Sequence, residues 1–144
     1  RGLGDVYKRQ PSMEFMGQTG LINTFDKCFD FLGKIDGDTT MIIDAYHLWR
    51  GGCRMDDFLN FDPARISCLH ISDADKNITR DNHRDRDRVM PLDGQIDLRL
   101  FASTAKKIGY TGFVNAGVYN PKLWDMDQGD MARECMSRLV QIFD

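Results

Sequence analysis

From residue 11 onward, short apolar runs alternate with segments whose apolar residues recur every three or four positions. Ser12 to Met16 predicts a short strand. Asn23 can cap a helix whose apolar face is Phe25, Cys28, Phe29 and Leu32, with Gly33 placed to end it. Thr40-Met41-Ile42-Ile43-Asp44 is a continuous run of the kind found in strands covered on both faces. Met55 to Phe61 predicts a short helix that stops before Asp62-Pro63. Arg65 to Ile71 predicts another strand, followed by a polar loop through Asp93-Gly94. Asp97 then caps a helix with Leu98, Phe101, Ala105 and Ile108 on one face and Gly109 as its stop. Gly112 to Val118 predicts a fourth strand, and Met131, Cys135, Leu139 and Ile142 stripe a last helix. The order is βαβαβαβα, which argues for a parallel sheet with helical crossovers.

Polar residues gather where each strand finishes. Glu14, Asp44, His70 and Gly117 are 30, 26 and 47 residues apart in turn. The first two spacings are close to the roughly 31 residues per unit of a 250-residue eight-unit barrel. The longest contains the extended loop from Ser72 to Asp93. Ends of successive parallel strands converge on one mouth, so Glu14, Asp44 and His70 are expected to face a common site. Any one of them alone would read as a loop residue or a helix cap. Three at equivalent points of three units point to a ligand set of hard oxygens and an imidazole, suited to Mn²⁺, Mg²⁺, Co²⁺ or Zn²⁺.

Composition narrows the classes. The 144 residues carry 19 Lys and Arg against 22 Asp and Glu, a net charge of −3, which gives no general attraction to nucleic acid or an anionic membrane. No apolar run approaches the ~20 residues of a membrane helix. Four widely spaced cysteines, Cys28, Cys53, Cys68 and Cys135, read as small apolar residues of a cytoplasmic protein and not as a disulfide framework. The loop from Arg80 to Arg88 alternates its signs and reads as solvated and internally paired. Trp49 and Trp124 are candidates either for a sugar-stacking role at the mouth or for helix packing. His83 has no partner at ligand spacing and is assigned no role.

Arg1 to Gln10 resembles the translation of a sequencing-library adapter, so residues 1–10 are read as a non-native leader and 11–144 as the domain. The remainder resembles the sugar phosphate isomerase/epimerase superfamily with the xylose isomerase-like barrel. The likeness is carried by Met13-Glu14-Phe15, by Asp44 to Gly52, by Leu69-His70-Ile71-Ser72-Asp73, and by Asp87 through Leu98. Within that superfamily it is most similar to the inosose isomerase/dehydratase and ketose 3-epimerase branch. The resemblance implies the C-terminal half of a (β/α)8 TIM barrel, strands five to eight in about four βα units.

The resemblance further implies Glu14, Asp44 and His70 as ligands of one divalent metal ion, with Glu14 also the catalytic carboxylate. It implies His47 and Arg88 as substrate-binding residues, although His47 also sits where it could simply cap the turn after Asp44. In the family a fourth ligand, a glutamate, stands in the last strand. In the matching run Ala116-Gly117-Val118-Tyr119-Asn120-Pro121 that position is Gly117. Leu92 likewise stands at a family glycine.

The implied reaction is isomerisation, epimerisation or dehydration of a sugar, sugar phosphate or inosose. A metal stabilises an enediolate while a carboxylate moves the proton beside the carbonyl. With one glutamate, a one-face reaction is expected in preference to two-base epimerisation. The rival readings are a sugar-binding barrel that lost activity with the change at Gly117 and, last, an endonuclease IV-like phosphodiesterase. The expected partner is a small carbohydrate, with neither nucleic acid nor membrane. Four units cannot close a barrel, so the chain alone is expected to be inactive, and either to aggregate or to dimerise into a barrel of two halves.

Overall fold

The computed structural model describes residues 10–35 and 38–144. The strands are β1 (Ser12–Glu14), β2 (Thr40–Asp44), β3 (Ile66–Ile71), β4 (Asp73–Ala74), β5 (Arg88–Val89) and β6 (Phe113–Ala116). The helices are α1 (Phe25–Leu32), α2 (Ala45–Arg50), α3 (Leu98–Lys107) and α4 (Gln128–Phe143). Strands β1, β2, β3 and β6 form one sheet in that order, every neighbour parallel. β4 and β5 make a separate antiparallel ribbon inside the long loop. Four βα units in one parallel sheet make an α/β half-barrel.

Register sorts the side chains into two faces. Glu14 lies level with Ile42, Ile42 with Cys68, and Cys68 with Phe113. One step on, Asp44 is level with His70 and His70 with Asn115. Successive side chains alternate sides of a strand, so these seven residues share the inner face. Met41, Ile43, Leu69 and Ile71 take the outer face and are fully buried. They join a core with Phe25, Cys28 and Leu32 of α1, Tyr46 and Leu48 of α2, Leu98, Phe101 and Ala105 of α3, and Ile142 of α4. The inner face is far more open, and Phe113 on it is 82% exposed.

The leader expectation for residues 1–10 falls almost entirely outside the described residues; Gln10 is exposed coil. Strand and helix order follow the sequence pattern, with local corrections. The cap of α1 is Thr24 and not Asn23: the Thr24 hydroxyl accepts from Lys27 N–H, while Asn23 Oδ1 takes the Lys27 ammonium at 2.7 Å. Met55 to Phe61 is no helix. Its backbone bonds run from Asp57 to Arg54, Leu59 to Asp56 and Phe61 to Phe58, three apart, so it is a chain of turns. The helix of that unit is α2, which begins directly after β2. Of the four cysteines only Cys28 is fully buried; the others are half-buried, and all four are free.

Candidate active site

Glu14 ends β1, Asp44 ends β2, and His70 is the penultimate residue of β3, so the strand ends deliver these side chains to one mouth. They line a cavity of about 490 Å³ together with His47, Asp85, Arg88, Asn115, Gly117 and Tyr119. Asp44 does two jobs. Its Oδ1 accepts Tyr46 N–H at 2.7 Å and caps α2, while Oδ2 accepts Arg88 Nη1 at 2.9 Å. Because α2 starts without a linker, His47 in its first turn is carried to the same mouth. The loop after β1 lies directly on α2: a Cβ on Gly17 would sit 2.5 Å from the His47 carbonyl, so only glycine fits there.

Arg88 is 7% exposed and organises this end of the site. Besides Asp44, its guanidinium donates to Asp85 Oδ1 at 2.7 Å and to Ser72 Oγ at 3.2 Å, and lies 4.0 Å from the centroid of the Tyr46 ring. Beneath it the Tyr46 hydroxyl is 3.1 Å from His83 Nδ1. His83 is fully buried, edge-on to Trp49. Burial pushes the Tyr46 hydroxyl up to about 12 and holds the His83 imidazole below its ordinary value, so both stay neutral. For Arg88 burial opposes the charge, but Asp44 and Asp85 outweigh it and keep the guanidinium charged.

The two mouth histidines differ. His70 Nδ1 is 3.0 Å from Glu14 Oε1, and that bond raises the His70 pKa against the opposing effect of burial. Burial alone would raise the Glu14 carboxyl; the His70 hydrogen bond and charge, helped by His47 and Arg88, bring it below the usual value. Burial lowers the pKa of His47 despite the nearby carboxylates, so its ring is neutral near pH 7. Its Nδ1 faces Gly17 N–H at 3.3 Å and its Nε2 faces Arg88 Nη2 at 3.2 Å. Both neighbours are donors and a neutral imidazole has one acceptor nitrogen, so the ring tautomer decides which of the two contacts is a hydrogen bond.

Ligand atoms of Glu14, Asp44 and His47 all lie within 4.8 Å of one another. Two ligands on one ion at 2.0–2.3 Å are separated by up to ~4.6 Å, a few tenths of an ångström inside the limit found here, and the hard-oxygen and imidazole donors are those a divalent ion takes. His70 stands beside this trio, joined through Glu14. The residues fit the group.

All five sequence-selected residues, Glu14, Asp44, His47, His70 and Arg88, border this one cavity. So does Gly117, whose N–H extends the pairing of β6 by donating to Ile71 O at 2.9 Å. Nothing lies within 4 Å of where its Cβ would stand, so a side chain has room. Sequence reasoning missed Asp85, Ser72 and Tyr46. Asp85 and Arg88 are the internal pairing expected of the loop, yet Arg88 is buried and not solvated. His83, unassigned from sequence, is part of the support under Arg88. Trp49 is buried in packing, and Trp124 sits against Tyr119 over a separate cavity beside α4.

The chain matches the family model of the xylose isomerase-like TIM barrel over residues 10–141. Among curated proteins it is 26% identical to the inosose isomerase of Bacillus licheniformis over 142 residues, covering 97% of this chain and 51% of the relative. The inosose isomerase of Bacillus subtilis is 25% identical, with the same coverages. The chain thus spans about half the length of the curated relatives it matches. Among solved structures, the IOLI protein with a bound zinc atom superposes with TM-score 0.89 at 22% identity, over 97% of this chain and 51% of that one. An L-ribulose 3-epimerase superposes with TM-score 0.74 at 13% identity, over 96% and 48%. With its four parallel βα units, its strand-end carboxylates and a family match across nearly its whole length, the chain belongs to the xylose isomerase-like TIM barrel family.

Proposed function

We propose that this chain is half of a cytoplasmic, divalent-metal-dependent isomerase or dehydratase acting on a small cyclic or open-chain carbohydrate, with an inosose as the leading candidate. The observation that carries the reading is the convergence of Glu14, Asp44, His47, His70 and Arg88 on one mouth. It is supported by relatives that are inosose isomerases. Glu14, Asp44 and His70 would hold the ion as the family resemblance implies, while the trio whose ligand atoms stand within 4.8 Å is Glu14, Asp44 and His47. When bound, the ion stabilises negative charge on neighbouring carbonyl and hydroxyl oxygens while the proton between them is removed.

The side chains supply the rest. Glu14, kept ionised by His70, takes the proton from the hydroxyl-bearing carbon beside the carbonyl and returns it to the former carbonyl carbon, while the hydroxyl proton passes to the former carbonyl oxygen. His47, at the edge of the same cavity, hydrogen-bonds a substrate oxygen. Arg88 fixes Asp44 through one edge and reaches a substrate oxygen by exchanging its contact with His47. Gly117 offers no second carboxylate, so proton transfer runs on one face, which suits isomerisation or dehydration better than epimerisation.

The absence of a carboxylate at Gly117 favours one second reading, a non-catalytic sugar binder. Ligand-detected NMR with an inosose separates the two. The metal-dependent reading expects binding in Mg²⁺ that is lost on chelation and in Asp44→Ala. Equal binding with and without the ion identifies the binder, and no binding in either condition overturns both.

A further inference from the structure

We propose that Tyr46 and His83 are positioning residues: stacked beneath Arg88, they fix the plane of its guanidinium and so the edge it turns to the substrate. The inference rests on the reading that Arg88 meets the substrate, and adds to it two buried residues that do not line the cavity. A guanidinium carries its five N–H groups in one plane, so its hydrogen bonds to Asp44, Asp85 and Ser72 resist turning within that plane. They resist tilting far less, because a hydrogen bond tolerates moderate bending before it weakens. A surface against one face is what stops the tilt. The Tyr46 ring is that surface, its centroid 4.0 Å from Arg88 Cζ. Tyr46 also donates its own N–H to Asp44 Oδ1 at 2.7 Å. One residue therefore holds both members of the Arg88–Asp44 ion pair, the carboxylate through its backbone and the guanidinium through its ring.

What fixes the ring is His83. Its side chain is fully buried, with Nδ1 at 3.1 Å from the Tyr46 hydroxyl. Its Nε2 is buried with no hydrogen-bond partner among the described residues. A buried polar atom left unpaired is destabilising, so an apolar side chain would fill this place with less penalty, and packing alone does not account for a histidine. The bond to Tyr46 does. His83 belongs to the loop that carries Arg88, and Tyr46 to α2, so this bond sets loop against helix directly under the guanidinium. Arg50, one turn along α2 from Tyr46, repeats the tie. Its Nε donates to the His83 carbonyl at 3.2 Å and its Nη2 to the Asp81 carbonyl at 3.1 Å.

NMR of the Arg88 side chain in the full chain, read beside denaturant unfolding, tests this. A guanidinium held in its plane gives separate Nη proton signals, and a loose one averages them; separate signals are expected in the wild type. The double variant Tyr46→Phe with His83→Leu replaces both hydrogen-bonding partners by apolar groups of similar shape, a change that is close to neutral for stability. It is expected to keep the unfolding midpoint yet to average the Arg88 signals. His83→Asn retains a polar atom near Nδ1 in a smaller side chain, and is expected to lower the midpoint yet keep the signals separate. A pair that serves packing alone gives the opposite order, with Arg88 loosening only as stability falls. The double variant is further expected to bind an inosose in Mg²⁺ about fivefold more weakly, the worth of one hydrogen bond, with Zn²⁺ affinity unchanged. Averaged signals in the wild type, or separate signals in the double variant, overturn the proposal. So does undiminished inosose binding in a double variant whose signals average. With the signals as expected, absence of inosose binding in every form overturns the substrate contact of Arg88 and leaves the stack standing.

Discussion

His70 and His47 are both imidazoles at one mouth, yet their surroundings set them on opposite sides of the ordinary value of 6.5. In metal-free protein, NMR titration is expected to show His70 titrating above 6.5 and His47 below it; the reverse order contradicts the geometry. The sign follows for stability. His70 binds its proton more tightly when folded, so its contribution is whole below 6.5 and fades as pH rises through the folded value. Glu14 is lowered from 4.5, so its contribution is present above 4.5 and fades as pH falls. Both side chains are about a quarter exposed, so the pair contributes under ~1 kcal/mol. His70→Gln should flatten this dependence.

Leu92 is the one non-glycine residue with positive φ, +76°, among the described residues. Its side chain also packs on the core. Leu92→Val puts a β-branched residue there and should cost ~1–3 kcal/mol in denaturant unfolding. Leu92→Gly trades lost packing for relieved strain and should stay within about 1 kcal/mol of wild type. A stabilising Leu92→Val would refute the strain. At this scale the strand-end residues were legible, because a polar residue closing an apolar run is a visible break in pattern. Asp85 and Ser72 were not: an aspartate among alternating charges looks solvated until a buried guanidinium is found against it.

Elements were legible where a period or a cap marks them. α3 starts at Asp97, whose Oδ1 accepts Leu100 N–H at 2.9 Å, as the pattern predicts. α2 escaped because five of its six residues are buried, leaving no amphipathic period to see. Met55, Phe58 and Phe61 are buried at helix-like spacing, yet they are brought together by turns. The long loop, polar in sequence, is ordered by Asp73. That carboxylate is buried and accepts N–H groups from Ala74, Leu92, Gly94 and Ile96. Asp73→Ala strands these donors and should cost ~3 kcal/mol or more, against about 1 kcal/mol for Asp97→Ala at an ordinary cap. Similar losses in the two variants, read by denaturant unfolding, would show that Asp73 does not hold the loop.

At the scale of the whole molecule, the outer face of the sheet is closed and the inner face is open. The alternation of apolar runs and helical segments foretold the parallel sheet, and the family resemblance implied half a barrel of about four units. The depth and electrostatics of the mouth were not readable, because they arise from a loop that folds back over β2 and β3 through Arg88. The central claim is that this mouth is a divalent-metal centre weakened by glycine at position 117. Calorimetric titration of the full chain with Zn²⁺ tests it most directly. One ion per chain is predicted, with binding abolished in Asp44→Ala and tightened about tenfold, or about 1.4 kcal/mol, in Gly117→Glu. Zinc binding that is absent in the wild type, or that survives unchanged in Asp44→Ala, would contradict the account.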